Sequence, residues 1–264
     1  MPELLLETHD LARHFGGIKA VEGVDCRVED GQIYAVIGPN GAGKTTFFNC
    51  LGGVLEPTRG EILYKGERID GLPPHRIAGK GLARTWQTIQ LFAHMSVLEN
   101  VLVGCHIRGG TGFAGSILRL PRYWREERRL REEAMARLAD LEIADLAREP
   151  VSRLPFLKQR RVELARALAA DPALLMLDEP AAGLNTRETA ELGKLIQWVR
   201  ERGITIVLVE HDMSLVMEIS DRVLVLDHGR PIAEGQPREV QENEKVIAVY
   251  LGTDEDEEEE EGLT

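Results

Sequence analysis

The chain has 264 residues, 43% of them apolar and 29% charged, with a formal net charge of −12. That length and apolar content support one large domain or two small ones and exclude a wholly disordered chain. The run DEDEEEEE, Asp254 to Glu261, supplies eight of the negative charges, so the remaining body is only mildly acidic, which argues against non-specific nucleic-acid binding. Cys26, Cys50 and Cys105 are odd in number and lack metal-ligand spacing, which fits a reducing compartment. The start MPELLLETHD lacks the basic opening and long apolar region of a signal peptide. No apolar run approaches the roughly 20 residues needed to cross a bilayer, so any membrane role runs through a partner.

In chain order, LLLETHDLARHF, VDCRVEDG and QIYAVIG read as β-strands. A glycine-rich loop and a helix in KTTFFNCLGGVL follow, and GEILYKGERI reads as a strand and turn. From about Ser96 to Ala170 the β signal disappears. There RYWREERRLREEAMARLADLEI places Leu130, Ala134, Leu138 and Leu141 on one helical face. RGGTGFAGS, Arg108 to Ser116, reads as a mobile loop. The cluster Arg122, Arg125, Arg128, Arg129 and Arg131 is interleaved with glutamates and reads as a solvated helix face rather than a nucleic-acid contact. ALLMLDEP, ITIVLVEHD and DRVLVLDHGRPIAEG have the apolar runs of buried strands. TRETAELGKLIQWVRERG and MSLVMEIS between them read as helices, the first stopped by Gly203. The alternation implies an α/β fold with a mainly parallel sheet, an N-terminal antiparallel β part and an inserted helical subdomain. The expected division is an α/β core at 1–95 and 171–252, a helical subdomain at 96–170 and an acidic, disordered tail at 253–264.

The first chemistry-bearing motif is GPNGAGKTT, comprising Gly38, Pro39, Asn40, Gly41, Ala42, Gly43, Lys44, Thr45 and Thr46. It matches G-x-x-x-x-G-K-[ST] directly after a strand and before a helix. Loop amides and a helix N-terminus form a concave anion site. Lys44 can reach terminal phosphates, and the Thr45 hydroxyl can ligate Mg²⁺. A nucleotide with Mg²⁺ is the expected ligand. The second motif is LLMLDEP, which puts Asp178 and Glu179 at the end of a buried strand, where open α/β sheets present ligand groups. Asp178 can hold the metal through water, and Glu179 can orient or deprotonate an attacking water.

With these motifs in order, the chain resembles the ATP-binding subunit of an ABC transporter from Leu4 to about Gly252, a P-loop NTPase of the ABC type. The resemblance implies that the nucleotide is ATP, and it implies further roles. Gln87 in ARTWQTIQLF matches the glutamine that touches the metal and senses the membrane partner. His211 in VLVEHDM matches the switch histidine that contacts the γ-phosphate. AAGLN, Ala181 to Asn185, sits at the D-loop, with Asn185 where aspartate is common. Phe15 in RHFGGIKAV sits where an aromatic stacks on adenine. ARTWQTIQLF, the insert around RGGTGF, LPRYWREER and DEPAAGLN are most similar to the ATP-binding subunits of branched-chain amino acid importers. These pair with a second ATP-binding subunit and two permeases. The resemblance thus implies a transport-coupled ATP hydrolase, peripheral on the cytoplasmic face of the inner (plasma) membrane, without nucleic-acid partners. A homodimeric ATPase of a lipopolysaccharide-type exporter is the alternative, although such subunits generally lack the insert. A soluble ABC-type ATPase or a regulatory module without a permease is the other.

One motif departs from the family. LPFLKQRR, Leu154 to Arg161, occupies the signature that usually reads L-S-G-G-Q. Pro155 offers neither hydroxyl nor N–H. Pro155 and Phe156 are nonetheless mild departures, because importer subunits of this branch resemble L-P-Y-G-Q there. Leu157 puts a branched side chain where a close backbone approach belongs, and Lys158 offers a cation. The resemblance implies that this segment completes the opposite subunit's nucleotide site. The altered signature therefore fits either an asymmetric dimer with an intact-signature partner or an impaired homodimer.

Overall fold

The structure, a computed structural model, describes residues 3–106 and 121–250. The segment RGGTGFAGS and the acidic tail lie outside the described residues.

Two sheets organise the chain. In the first, the twelve-residue strands β1 (Leu4–Phe15) and β2 (Ile18–Glu29) pair antiparallel. Strand β4 (Arg59–Tyr64) joins the other edge of β1, and the two-residue β5 (Glu67–Arg68) follows, giving the order β2-β1-β4-β5. The second sheet has six strands in the order β10-β9-β3-β8-β7-β6. Its members are β3 (Ile33–Ile37), β6 (Leu82–Arg84), β7 (Leu174–Asp178), β8 (Thr205–Val209), β9 (Arg222–Asp227) and β10 (Arg230–Gly235). All pair in parallel except the β9–β10 hairpin. Every residue of β3, β7 and β8 is buried, as expected of parallel strands covered on both faces.

The period-two alternation sends side chains to two different cores. Tyr34, Val36, Met176, Val207 and Val209 face Phe47, Phe48 and Leu51 of α1 (Lys44–Leu51) and the antiparallel sheet. Ile33, Leu175, Leu177, Ile206 and Leu208 face α6 (Thr186–Glu201), α7 (Met213–Ile219) and the helical stretch. That stretch comprises α3 (Val97–Cys105), α4 (Pro121–Asp140) and α5 (Phe156–Ala169). Leu130, Ala134, Leu138 and Leu141 are all buried there, so the helical face read from the sequence is the packed one. Gly203 has φ of 81° just past α6, the left-handed stop expected of it. Among the described residues no helix is long and apolar enough to cross a membrane.

Three elements escape the sequence patterns: α2 (Pro74–Gly79), β6 and α8 (Pro237–Gln241). Six, three and five residues are too short to show a period. Strand β6 exists through its ladder with β7, in which Arg84 lies opposite Met176.

Candidate nucleotide-binding and catalytic site

The chain leaves β3 at Ile37 and enters α1 at Lys44. The intervening turn is tight enough to require glycine at two points. Gly38 has φ of 151°, and a Cβ there would lie 2.1 Å from the Leu226 carbonyl oxygen. Gly43 has φ of 95°, and a Cβ there would lie 2.2 Å from the Ala20 carbonyl oxygen. Both contacts are with backbone, which cannot move aside as a side chain would. Pro39 and Ala42 shape the loop between them, with the Ala42 N–H donating to the Pro39 carbonyl at 3.2 Å. Asn40 and Gly41 form its exposed tip. Lys44 is 7% exposed and donates to the carbonyls of Gly38 at 2.6 Å and Pro39 at 3.0 Å. Burial pulls its pKa down, opposed by the charge of Glu179. An ammonium held this way, next to the free N–H groups that open α1, suits the phosphates of a nucleotide. Thr45 is exposed and Thr46 half-buried on the first turn.

Strands β6, β7 and β8 end at the same edge of the sheet as β3. Asp178 is the last residue of β7 and 4% exposed. Its Oδ2 accepts from a terminal nitrogen of Arg84 at 2.8 Å. Glu179 follows with φ of 43°, its N–H donating to the Val209 carbonyl at 2.9 Å. That backbone twist turns the Glu179 side chain toward residues from two other elements. Gln87 Nε2 donates to Glu179 Oε2 at 2.7 Å, and His211 Nδ1 lies 3.8 Å from the same oxygen. Gln87, Glu179 and His211, far apart in sequence, thus meet at one carboxylate. The hydroxyl of Thr45 and the carboxylate of Asp178 are hard oxygen donors of the kind that Mg²⁺ uses together with substrate phosphates. Among the described residues no group of three or more His, Cys, Asp or Glu converges as a metal cage.

Other expected residues sit nearby or face away. Phe15 ends β1, 43% exposed, with the Arg13 guanidinium 4.7 Å from its ring centroid. It lies at the tip of the hairpin whose Ala20 abuts Gly43. Asn185 caps α6, accepting from the N–H groups of Arg187 and Glu188 at 3.1 Å each. Asparagine caps as well as aspartate does, so the helix start is kept with Asn185 in AAGLN. The altered signature opens α5: Pro155 is its cap, and Phe156 is 42% exposed. Leu157 and Lys158 are half-buried in the first turn. Neither has a positive φ, so a side chain at either position brings no backbone strain. The described contacts place Phe156 beside Gly183 and join none of the four residues to this chain's phosphate loop.

Several charged residues in the site were not singled out from the sequence. Arg84 holds Asp178. Glu210 is fully buried and accepts from the N–H groups of Ala181 at 2.8 Å, His211 at 3.0 Å and Asp212 at 3.4 Å. It therefore fixes the turn carrying His211 against the turn after Pro180. Burial pushes its pKa above the usual carboxylate range, opposed by those three amides. Arg160 and Glu163 of α5 form an ion pair at 2.9 Å, both side chains 3% exposed. Arg160 also donates to the carbonyls of Trp86 at 2.9 Å and Gln87 at 2.6 Å. Glu210 could have been flagged as a lone acid ending the apolar run TIVLV. Arg160 and Glu163 could not, because QRRVELAR reads as an ordinary polar helix face.

Comparison with known proteins identifies the family and the fold. Residues 21–182 match the ABC transporter family, and residues 230–256 match the branched-chain amino acid ATP-binding cassette transporter family. The high-affinity branched-chain amino acid transport ATP-binding protein BraF of Pseudomonas aeruginosa is 46% identical over 253 residues, 96% of this chain and 99% of that one. LivG of Escherichia coli, which bears the same description, is 44% identical with the same coverage. Among solved structures, an ABC-transporter ATP-binding cassette in its ADP conformation superposes with a TM-score of 0.83 at 30% identity, covering 94% of this chain and 99% of that one. A nucleotide-free cassette gives 0.81 at the same identity, covering 94% and 98%. The chain belongs to the ABC transporter family, as an ATP-binding and ATP-hydrolysing cassette of the branched-chain amino acid transport branch.

Proposed function

We propose that this protein hydrolyses MgATP to energise a permease that imports branched-chain amino acids, working from the cytoplasmic face of the membrane. The carrying observation is the meeting of Gln87 and His211 at Glu179, at the sheet edge that also bears Lys44 and Asp178. In this reading Lys44 and the loop amides hold the phosphates, and Phe15 stacks on the adenine. Thr45, Asp178 and Gln87 would hold a bound cation, whose chemistry there would be to offset the charge of the phosphates. Glu179 orients and deprotonates the attacking water. His211 steadies the γ-phosphate, itself held by Glu210. The α/β core at 1–95 and 171–252 carries this chemistry, and the helical subdomain at 96–170 carries the signature.

In the same reading the permease would dock at an apolar groove of about 380 Å³ between the core and the helices. Ile77, Trp86, Phe92 and Val103 line it, with Glu163 and Arg166 at its side. Trp86 is the residue before Gln87, so a segment seated in the groove would bear on the loop that carries Gln87. The similarity of the chain to BraF and LivG supports the cargo assignment.

Leu157 and Lys158 at the start of α5 favour a dimer with a second, different ATP-binding subunit. That partner's signature would complete this chain's phosphate site, and this chain's altered signature would face the partner's. The test is Lys44→Ala in the complex co-purified with its permease. ATP binding should weaken and ATP-driven amino acid uptake should stop. Parental affinity in that variant would remove the phosphate-site assignment.

A further inference from the structure

Arg84 ends β6, and its side chain reaches two other elements. One terminal nitrogen donates to Asp178 Oδ2 at 2.8 Å, and the other donates to Asn49 Oδ1 at 2.8 Å. The ion pair is nearly dry, with side-chain exposures of 8% and 6%. The guanidinium carbon lies 4.2 Å from the Trp86 ring centroid and 5.6 Å from that of Phe48. Asn49 belongs to α1, whose first residue is Lys44. One cation therefore ties the helix of the phosphate loop to the strand end carrying Asp178. Three residues further along, Gln87 reaches Glu179. A single short segment, 84–87, thus holds both adjacent acids, and Arg160 of α5 anchors that segment by its backbone.

We infer that Arg84 is a positioning residue for the catalytic cation, fixing Asp178 by one carboxylate oxygen and leaving the other to serve the metal. The physical need is twofold. A buried carboxylate without a counter-charge is costly, and it gains by turning away toward water. Asp178 and Glu179 are also neighbours in sequence, so the Arg84 charge offsets one of two acids before the cation arrives. A donor that locks a metal-holding carboxylate commonly changes metal affinity by about 10–100-fold. The inference rests on the reading of Asp178 as the metal holder.

The test is the Mg²⁺ dependence of nucleotide binding by the full chain, read with a non-hydrolysable ATP analogue, together with its affinity in EDTA. Arg84→Gln should raise the half-saturating Mg²⁺ concentration by about tenfold while leaving the metal-free affinity at the parental value. A merely structural role would lower the melting temperature without that separation. Arg84→Lys keeps the charge but cannot span Asp178 and Asn49 together. It should need more Mg²⁺ than the parent and less than the glutamine variant, and it carries the test if the glutamine variant does not fold. Asp178→Asn separates the two readings. If it loses the Mg²⁺ dependence while both Arg84 variants keep the parental value, the role of Arg84 is overturned and that of Asp178 stands. If Asp178→Asn itself keeps the parental dependence, the metal assignment falls, and the inference with it.

Discussion

Replacing Glu179 by glutamine removes a charge and a proton acceptor while keeping the shape of the side chain. The described hydrogen bond to this side chain is the one Gln87 donates to Oε2 at 2.7 Å. An amide oxygen in the same place accepts the same bond. The backbone φ of 43° is no harder for glutamine than for glutamate, because both branch beyond Cβ. Stability should therefore stay within about 0.5 kcal/mol of the parent. Lys44, whose pKa burial lowers against the opposing charge of Glu179, loses an internal anion and is left to the phosphates, so ATP affinity should hold or increase. Hydrolysis should fall by about 10²–10⁴, the usual contribution of a general base. That corresponds to roughly 3–5 kcal/mol on the barrier. Single-turnover hydrolysis in the partner-complete complex, with equilibrium ATP binding and a thermal melt alongside, separates these effects. A parental turnover rate would refute the assignment and direct attention to His211, 3.8 Å from the same oxygen.

Three further outcomes are expected. Gly43→Ala places a methyl 2.2 Å from a backbone oxygen at φ of 95°, and denaturant titration should show a loss of about 2 kcal/mol together with weakened ATP binding. Leu157→Gly with Lys158→Gln should raise the ATPase of the chain assayed alone, partially because Pro155 still lacks a hydroxyl, and should change little beside an intact-signature partner; a parent alone as fast as the double variant would count against the asymmetric dimer. Glu210 binds its proton more tightly in the fold than its ordinary value of 4.5, so its contribution to stability is greatest at low pH and declines as pH rises from there through the raised value. Melting temperatures against pH should show that decline in the parent and a flatter slope in Glu210→Gln, whatever the offset between the two.

The parts of the site legible in the sequence are those made from contiguous residues. The phosphate loop is nine consecutive positions, and its glycines answer to local backbone geometry. Asp178 and Glu179 follow an apolar run long enough to be read as buried. Gln87 and His211 are recognised only through resemblance, and the structure shows why no local signal marks them: they meet Glu179 from beyond the ends of different strands. The supporting charges were hidden for the same reason. Arg84 finds Asp178 across 94 positions, and Arg160 finds Gln87 across 73. Their chemistry depends on burial, and burial of a polar helix face follows from the tertiary packing. Strand β2 also begins earlier than VDCRVEDG suggests, at Ile18, because IKAVEG is carried into the sheet by its pairing with β1 rather than by its own propensity.

The helix with the altered signature has two surfaces that answer to different forces. Its inner surface carries Arg160, Glu163 and Arg166, which bond to the backbone of Trp86, Gln87 and Gln90. Breaking the buried Arg160–Glu163 pair by removing one partner costs about 3–5 kcal/mol, so this surface is held in place by folding itself. Its outer surface is the first turn, Phe156 to Lys158, half-buried or exposed, where substitutions typically change stability by about 0.5 kcal/mol or less. The first turn is therefore free to change without disturbing the inner contacts. A chain with L-P-F-L-K at that turn still anchors the segment that carries Gln87 to Glu179 and Arg84 to Asp178. What the change alters is the surface offered outward to another subunit. The geometry thus separates the contacts that support Glu179 and Asp178, which rest on the inner surface of the helix, from the first turn, which faces outward, and the proposed pairing with an unlike ATP-binding subunit would draw on that separation.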